Sequence, residues 1–146
     1  LVDIGVYPLR YTYELFGMPR GVVCRGELRG GVDVTEDIVL DYGDFRAEIF
    51  VSIEDPQGEE FVIEGTKGTI RVPYFHMARE AYLTGGENAH FEDDSPKYGV
   101  EFRRVAEEIA AGCAQSAFCP PQATLDTMKL LDECRRQLGL VYPCEK

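Results

Sequence analysis

The 146-residue sequence predicts a single α+β domain over residues 1–146, in which an open, mainly antiparallel β-sheet carries helices on one face. Helical spacing of apolar residues opens the chain and returns in its last third. Between them, apolar residues stand at every second position. No strand, helix and strand follow one another as a parallel crossover requires. We therefore expect strands that pair with their sequence neighbours and helices that cover one side of them.

The first element is a helix that begins at Asp3 or Ile4 and ends at Phe16. Its residues are apolar on more than one side, and Gly17 supplies the usual C-terminal stop. Proline is tolerated in the first turn of a helix, where its missing N–H has no intrahelical partner, so Pro8 places the start of the helix shortly before it. Asp3 is then the predicted N-terminal cap.

From residue 22 the apolar period changes to two, which predicts a three-stranded antiparallel meander over residues 22–29, 32–42 and 45–54. One face of this meander is apolar throughout. The other face mixes both charge signs with Val23, Val39 and Phe50. It is either solvated through cross-strand ion pairs or a polar subunit interface, and the sequence alone favours the solvated alternative.

A hairpin comes next, with strands Phe61–Glu64 and Thr69–Val72, because the glycines of Gly65-Thr66-Lys67-Gly68 permit a tight reversal. Two shorter strand-like pieces follow at residues 78–83 and 90–92, on either side of the flexible sequence TGGEN.

The last third of the chain predicts two amphipathic helices, from Tyr98 to Gly112 and from Pro121 to Gly139. Proline at a helix start and glycine just past a helix end are the usual boundaries. The side chains expected to face inward are Tyr98, Phe102, Val105, Ile109 and Cys113 in the first helix, and Leu125, Met128, Leu131, Cys134 and Leu138 in the second.

The composition excludes several classes of partner. A net charge of -11, from 15 basic and 26 acidic residues, argues against nucleic acid and against an anionic membrane surface. No apolar run approaches the length of a membrane span. The odd number of cysteines, the absence of a charged-then-apolar leader and the apolar positions of Cys24, Cys113 and Cys134 predict reduced structural thiols in a cytoplasmic protein. His76 and His90 stand apart from any ligand cluster, so no metal site is expected.

Asp3 and Tyr7 are the candidate substrate-binding and catalytic residues. They are four positions apart, so on a helix both side chains lie on one face, one turn from each other. Gly5 between them would let a ligand or another backbone approach closely. A carboxylate beside a phenol can accept from and donate to the vicinal hydroxyls of a polyol. The alternative is a helix cap plus a core tyrosine, which the spacing alone favours.

Three segments together resemble one protein family. LVDIGVYPLRY is similar to the D-x-G-x-H/Y segment that opens the C-terminal domain in the glucose-fructose oxidoreductase, inositol dehydrogenase and MocA family. FVIEGTKGTIRVPYF resembles that family's E-G-x-x-G-x-I/L hairpin. YGVEFRRVAEEIAAG and PPQATLDTMKLLDECRRQLGLVYP resemble its paired closing helices. The segments cover nearly the whole chain in the family's order. Tyr7, in place of the more common His, and the closing GLVYPCEK resemble the dimeric dihydrodiol dehydrogenase branch.

The resemblance implies a fold like that of the C-terminal domain of glyceraldehyde-3-phosphate dehydrogenase. It also implies that an N-terminal Rossmann domain, which binds NAD or NADP, is absent from this chain; the missing initial Met and the missing GxGxxG agree with that expectation. By resemblance, Asp3 would bind and orient substrate hydroxyls and Tyr7 would be the acid/base. His76 and His90 lie in a region that borders the substrate pocket in relatives, so His76 is a candidate substrate contact. An exposed loop histidine is the more common outcome.

The departure from the family pattern concerns the cation that Tyr7 needs. A phenol has an unperturbed pKa of about 10, so it needs a nearby positive charge to act as a base at neutral pH. In the family that charge is the lysine of an E-K-P motif in the nucleotide-binding domain, and this sequence has no such motif. We therefore expect the chain alone neither to bind a nicotinamide cofactor nor to turn over a sugar, polyol or diol substrate.

A second function class remains open from the sequence. The chain could be a non-catalytic ligand-binding or dimerisation module of the same fold, since likeness of fold does not guarantee chemistry. Asp3 and Tyr7 count against that alternative. An in-frame GxGxxG and E-K-P encoded directly upstream of residue 1 would decide for an enzyme half. Association into a homo-oligomer through the sheet face of Val23, Val39 and Phe50 is expected in either case.

Overall fold

A computed structural model describes residues 2–55, 57–96 and 98–145, apart from the side chain of Cys144. The helices are α1 (Val2–Phe16), α2 (Gly99–Ala110) and α3 (Pro121–Leu138). The strands are β1 (Gly21–Arg29), β2 (Val32–Asp41), β3 (Arg46–Ser52), β4 (Glu60–Gly65), β5 (Gly68–Pro73), β6 (Glu80–Thr84) and β7 (Ala89–Glu92), with short 3-10 turns at Phe75–Met77 and Pro143–Glu145. The elements form two compact units, the first from residues 2–55 and 117–145 and the second from residues 57–116.

The first unit is the antiparallel meander β1-β2-β3 with two helices packed on it. Helix α3 lies against β1, and α1 lies against α3 and β3. The buried core is made of Leu9, Cys24, Ile38, Leu40, Leu130, Leu131 and Cys134. Each fully buried leucine of this set stabilises the fold by roughly 1.5–3 kcal/mol relative to exposure. The predicted meander and its helix-covered apolar face are confirmed.

Gln137 of α3 hydrogen-bonds to the backbone at the exposed edge of this sheet. Strand β1 is an edge strand, so alternate residues point their backbone N–H and C=O away from β2. The Cys24 N–H donates to Gln137 Oε1 at 2.7 Å, and Gln137 Nε2 donates to the Val22 carbonyl at 2.8 Å. One side-chain amide therefore makes the two bonds that a neighbouring strand would make.

The start of α1 differs from the prediction. The helix already includes Val2, so Asp3 lies inside its first turn instead of capping it, and Pro8 lies in the second turn instead of the first. Pro8 therefore leaves the Ile4 carbonyl without its usual N–H partner. The helix persists because packing compensates: Leu9 is fully buried. In addition, the Thr12 hydroxyl donates to the Pro8 carbonyl at 2.8 Å. The helix itself and its end at Phe16 were predicted correctly, but the position of the helix start was wrong.

The second unit is a four-stranded antiparallel sheet in the order β4-β5-β6-β7, together with α2. The predicted hairpin is present, with Ile63 opposite Ile70 and Gly65 opposite Gly68. The two strand-like pieces are the strands β6 and β7, so His90 lies on a strand and not in a loop. The α+β class with mainly antiparallel strands is confirmed, and the strands divide into sheets of three and four.

The inward faces of the last two helices were partly mispredicted. The apolar stripe of α2 is exposed, with 70% of Phe102 and 70% of Ile109 accessible. The rest of this predicted stripe, Tyr98, Val105 and Cys113, is exposed as well. On α3, Leu131 and Cys134 are buried as expected, whereas Leu125 and Met128 are exposed and Thr127 and Leu130 take the inward positions. Periodicity shows that a helix has an apolar face, but it does not specify which residues a neighbouring element covers.

Two further expectations concern cysteines and membrane spans. Cys24 and Cys134 are buried, as predicted, whereas Cys113 is exposed and is not a core thiol. Within the described ranges, none of the helices has both the length and the hydrophobicity needed to span a bilayer.

Candidate functional site

Asp3 and Tyr7 lie one turn apart on α1, and both are exposed. The Tyr7 side chain is 54% exposed, so it is not the core tyrosine of the alternative interpretation. Gly5 is buried, which places it on the opposite side of the helix from Asp3 and Tyr7. Gly5 was expected to allow the close approach of either a ligand or another part of the backbone. Its burial favours the second of these, because a ligand that contacts Asp3 and Tyr7 would lie on the other side of the helix.

A hydrogen-bonded network holds α1 against α3. Tyr13 donates its hydroxyl to Asp126 Oδ2 at 3.1 Å, while Gln122 Nε2 and Lys129 Nζ donate to Asp126 Oδ1 at 2.8 and 2.7 Å. The bond from Lys129 is the largest cause that lowers the pKa of Asp126, so the carboxylate is an ionised acceptor. The network fixes the helix on which Asp3 and Tyr7 stand. The sequence does not reveal this network, because Tyr13 and Asp126 stand 113 positions apart and meet only in the folded structure.

A buried carboxyl pair lies on β2. Asp33 and Glu36 are 4% and 3% exposed. Burial, together with a side-chain hydrogen bond with Asp33, raises the pKa of Glu36 to about 7. The signal was present in the sequence, since Glu36 occupies the apolar phase of β2 between Val34 and Ile38.

His76 lies in the second unit, in the 3-10 turn after β5. Its Nδ1 is 2.6 Å from Glu59 Oε2. Tyr74, just before this turn, has φ 48° and ψ 49°, a left-handed conformation that bulky side chains rarely adopt, and its side chain is 67% exposed. Sequence reasoning missed Tyr74, because no pattern of residue types marks a tyrosine for this conformation.

Two cavities open in the second unit. One has a volume of about 250 Å³ and is lined by Pro73, Tyr74, His76, Met77, Arg79 and Glu80. The other, of about 460 Å³, is lined by Arg79 and four carboxylates, those of Glu80, Glu92, Asp93 and Asp94. The smaller cavity combines apolar walls with donors and acceptors, as ligand sites usually do. The larger one has no apolar side chain among its lining residues.

Glu80, which lines both cavities, is the centre of a polar cluster on the sheet. It accepts a hydrogen bond from the Tyr82 hydroxyl, and His90 Nε2 is 3.3 Å from its Oε2. The Tyr82 and His90 rings stack with centroids 4.5 Å apart. The hydrogen bond from Tyr82 is the first cause that lowers the pKa of Glu80, which keeps the carboxylate ionised. His90 is thus a member of a side-chain network on the strands.

Two features of known metal and dinucleotide sites can be looked for among the described residues. Among them, no three or more His, Cys, Asp or Glu side chains are grouped so that they could hold a metal ion. Every strand pair described is antiparallel. The parallel strand–turn–helix unit that cradles the phosphates of a dinucleotide is therefore missing from these residues.

The chain is similar to known oxidoreductases over its whole length. It is 30% identical over 151 residues to scyllo-inositol 2-dehydrogenase (NADP(+)) IolU of Bacillus subtilis, covering 100% of this chain and 46% of that protein. It is 27% identical over 157 residues to trans-1,2-dihydrobenzene-1,2-diol dehydrogenase of Xenopus laevis, covering 98% of this chain and 48% of that protein. The chain thus spans about half the length of the curated relatives it matches.

A solved structure shares the fold. Aldose-aldose oxidoreductase from Caulobacter crescentus, complexed with glycerol, superposes with a TM-score of 0.77 at 17% identity, over 94% of this chain and 44% of that one. No family model matches the sequence.

Proposed function

The chain belongs to the glucose-fructose oxidoreductase, inositol dehydrogenase and MocA family as a counterpart of its C-terminal domain, and on that premise we propose that it is the substrate-binding half of an NAD(P)-dependent oxidoreductase. The complete protein would move a hydride to or from a hydroxyl-bearing carbon of a sugar, a polyol or a trans-dihydrodiol. The names of the two relatives support this substrate class, since one names scyllo-inositol and NADP(+) and the other a dihydrodiol.

The observation that carries the proposal is the pairing of an exposed carboxylate and an exposed phenol on one face of α1. Asp3 accepts hydrogen bonds from substrate hydroxyls and so fixes the orientation of the carbon that reacts. Tyr7 exchanges the proton of the reacting hydroxyl, which requires a cation supplied from outside this chain. His76 remains a proposed substrate contact from the second unit.

The cofactor is assigned to the other half of the protein. The residues described here do not fit a dinucleotide, because their strand pairs are antiparallel and lack the phosphate-binding turn. We therefore assign no residue of this chain to NAD or NADP, and we propose that the chain alone is inactive. Calorimetric titration of the 146-residue chain with NADPH should give no binding heat, and tight binding would overturn this part of the proposal.

The catalytic part is tested by Tyr7→Phe in the full-length protein, which removes one hydroxyl and little else. We expect turnover to fall by about a hundredfold or more, with cofactor affinity nearly unchanged, because general acid/base groups contribute roughly that much. Tyr98→Phe is the matched control, since Tyr98 is also exposed but lies at the start of α2. Equal turnover in Tyr7→Phe and in the control would remove Tyr7 from the mechanism.

A second candidate function, assembly through the open face of β1-β2-β3, has its own support. Helices cover the other face of this sheet, while Val23 and Phe50 remain 51% and 44% exposed on the open one. We propose a homo-oligomer that buries this face, whether or not the protein is an enzyme. Light scattering should give a multiple of the chain mass, and Phe50→Glu should lower it. A monomeric mass at high concentration would exclude this interface.

A further inference from the structure

We propose that Cys24 and Cys134 form a site of covalent modification, at which hydrogen peroxide oxidises the two thiols to an intramolecular disulfide that joins β1 to α3. Cys24 lies on β1 and Cys134 on α3, and both belong to the buried core of the first unit. The proposal does not depend on Asp3, on Tyr7 or on the proposed oxidoreductase activity, because the two thiols take no part in that chemistry.

The direction of the two side chains gives the first reason. Cys24 is 6% exposed and lies opposite Ile38, a core residue of β2, so its side chain is on the helix-covered face of the sheet. Cys134 is 1% exposed and shares the inward face of α3 with Leu130 and Leu131. Helix α3 packs directly on β1. Both thiols therefore point into the same contact between a helix and a strand.

The amide of Gln137 gives the second reason, because it shows which turn of α3 lies beside Cys24. The Cys24 N–H donates to Gln137 Oε1 at 2.7 Å, and Gln137 Nε2 donates to Glu133 Oε1 at 2.7 Å. Long side chains on a helix reach back over the preceding turn, so this amide lies beside the turn that contains residues 133 and 134. In agreement, the Cys24 thiol is the first cause that raises the pKa of Cys134, and burial is the second. The two sulfur atoms are thus neighbours.

The reaction is a two-electron oxidation of the thiols in which the peroxide is reduced. Cys24 is the less buried of the two, so the peroxide reaches it first. Its sulfur loses its proton and attacks one peroxide oxygen, the O–O bond breaks, and a sulfenic acid and one water form. Cys134 Sγ then attacks the sulfenic sulfur, the S–O bond breaks, and the leaving hydroxide takes the Cys134 proton as a second water. Two thiols and one peroxide give one disulfide and two waters.

Burial determines both the rate and the product. The raised pKa keeps Cys134 protonated, and a protonated buried thiol reacts slowly. The peroxide reaches the pair when α3 separates from β1 in a local opening, and reclosure returns the sulfenic acid of Cys24 to the Cys134 thiol. The second thiol is then in place before another peroxide can form the irreversible sulfinic acid. We therefore expect the disulfide, and not the sulfinic acid, as the product.

The disulfide closes a long loop, from residue 24 to residue 134, which contains the whole second unit. Closing a loop of this length restricts the unfolded chain far more than the folded one, so the link stabilises the first unit. For a chain of this size we expect the Tm to rise by roughly 10 °C.

The test is oxidation of the 146-residue chain with hydrogen peroxide, alkylation of the remaining thiols, and peptide mass spectrometry without reduction. We expect Cys24 and Cys134 to be recovered as one linked pair of peptides from the monomeric chain. The Tm should rise on oxidation and return to its first value when dithiothreitol is added. In a denaturing concentration of urea this pair should lose its preference over the other cysteine pairings.

Cys134→Ala removes the thiol that attacks the sulfenic acid. We expect Cys24 in this variant to continue to the sulfinic acid, and oxidation to give no increase in Tm. Cys113→Ser is the matched control, because Cys113 is an exposed cysteine of the second unit. Its increase in Tm on oxidation should equal that of the wild type.

Three results would overturn the proposal. They are the absence of the linked pair after oxidation of the folded wild type, its formation only in urea, and an increase in Tm on oxidation of Cys134→Ala as large as in the wild type. The first two are measured on the unaltered chain, so they do not depend on whether a variant folds. None of them bears on the oxidoreductase assignment, which is tested by Tyr7→Phe in the full-length protein.

Discussion

Replacement of Gln137 by Met tests whether one amide completes the edge of the first sheet. Methionine has nearly the same length and helix propensity but cannot make either bond to β1. The Cys24 N–H and the Val22 carbonyl then lose partners at 2.7 and 2.8 Å. A buried backbone group left unpaired costs about 1–3 kcal/mol. Since Gln137 is only partly buried, we use the lower end and expect a loss of roughly 2 kcal/mol of unfolding free energy for the two groups.

The assay is urea unfolding of the 146-residue chain followed by circular dichroism, combined with hydrogen exchange at the Cys24 amide. The midpoint should fall at constant m-value, and the Cys24 amide should exchange faster while amides of β4 to β7 do not change. Gln115→Met, an exposed residue of the second unit, is the matched control. A loss of less than about 0.5 kcal/mol in Gln137→Met, or unchanged exchange at Cys24, would refute the role of the amide.

Gln137→Glu adds a pH test of the same contact. In this variant one carboxylate oxygen still accepts from the Cys24 N–H. The other oxygen replaces Gln137 Nε2, which in the wild type donates to the Val22 carbonyl at 2.8 Å and to Glu133 Oε1 at 2.7 Å, so it faces two acceptors and has no proton to donate. The folded state therefore raises the pKa of the new carboxyl above its unfolded value. Its destabilising effect is complete above the folded pKa and is relieved as the pH falls through it, because the protonated carboxyl donates again. The stability gap to the wild type should narrow from about pH 7 to about pH 4; a constant gap would contradict this.

Two further predictions concern α1 and β2. Pro8→Ala supplies an N–H that can donate to the Ile4 carbonyl within the helix. We expect the unfolding free energy to rise by about 2 kcal/mol, because relief of the proline penalty of about 3 kcal/mol is partly offset by the greater conformational entropy of the unfolded variant. A lower Tm in the variant would show that packing of the proline ring is needed. Burial and the hydrogen bond with Asp33 raise the folded pKa of Glu36 to about 7, so the wild type binds more protons when folded than when unfolded and loses stability as the pH rises towards 7. Glu36→Gln should flatten this pH dependence in urea unfolding, and an unchanged slope would exclude Glu36 as its source.

The fold was predictable where alternating apolar residues form strands that pair with their neighbours in the sequence. The alternation in β1, β2 and β3 fixed both the strands and their apolar face, and the glycines at 65 and 68 fixed the hairpin. Pro8 misled the placement of the helix start because proline propensity is a local preference that burial of Leu9 overrides. Phe102 and Ile109 were expected to be buried but are exposed, because helical periodicity defines an apolar face without showing whether another element packs on it.

The candidate site was predictable only in part, for a similar reason. The four-residue spacing of Asp3 and Tyr7 is a local property of a helix, so their common face followed from the sequence. The network at Asp126 and the cleft beside Tyr74 depend on residues brought together by tertiary structure or on backbone torsions. Among these features, burial of Glu36 could have been predicted, because it is a charged residue at an apolar position of a strand.

The first unit is discontinuous along the chain, since residues 57–116 stand between β3 and α3. A ribosome adds roughly 5–20 residues per second, so several seconds separate emergence of the meander from emergence of α3. Through that interval Ile38 and Leu40 have no Leu130, Leu131 or Cys134 to cover them. A nascent chain stalled before residue 117 should therefore recruit a holdase chaperone, and release of the stalled chain with α3 attached should end that association.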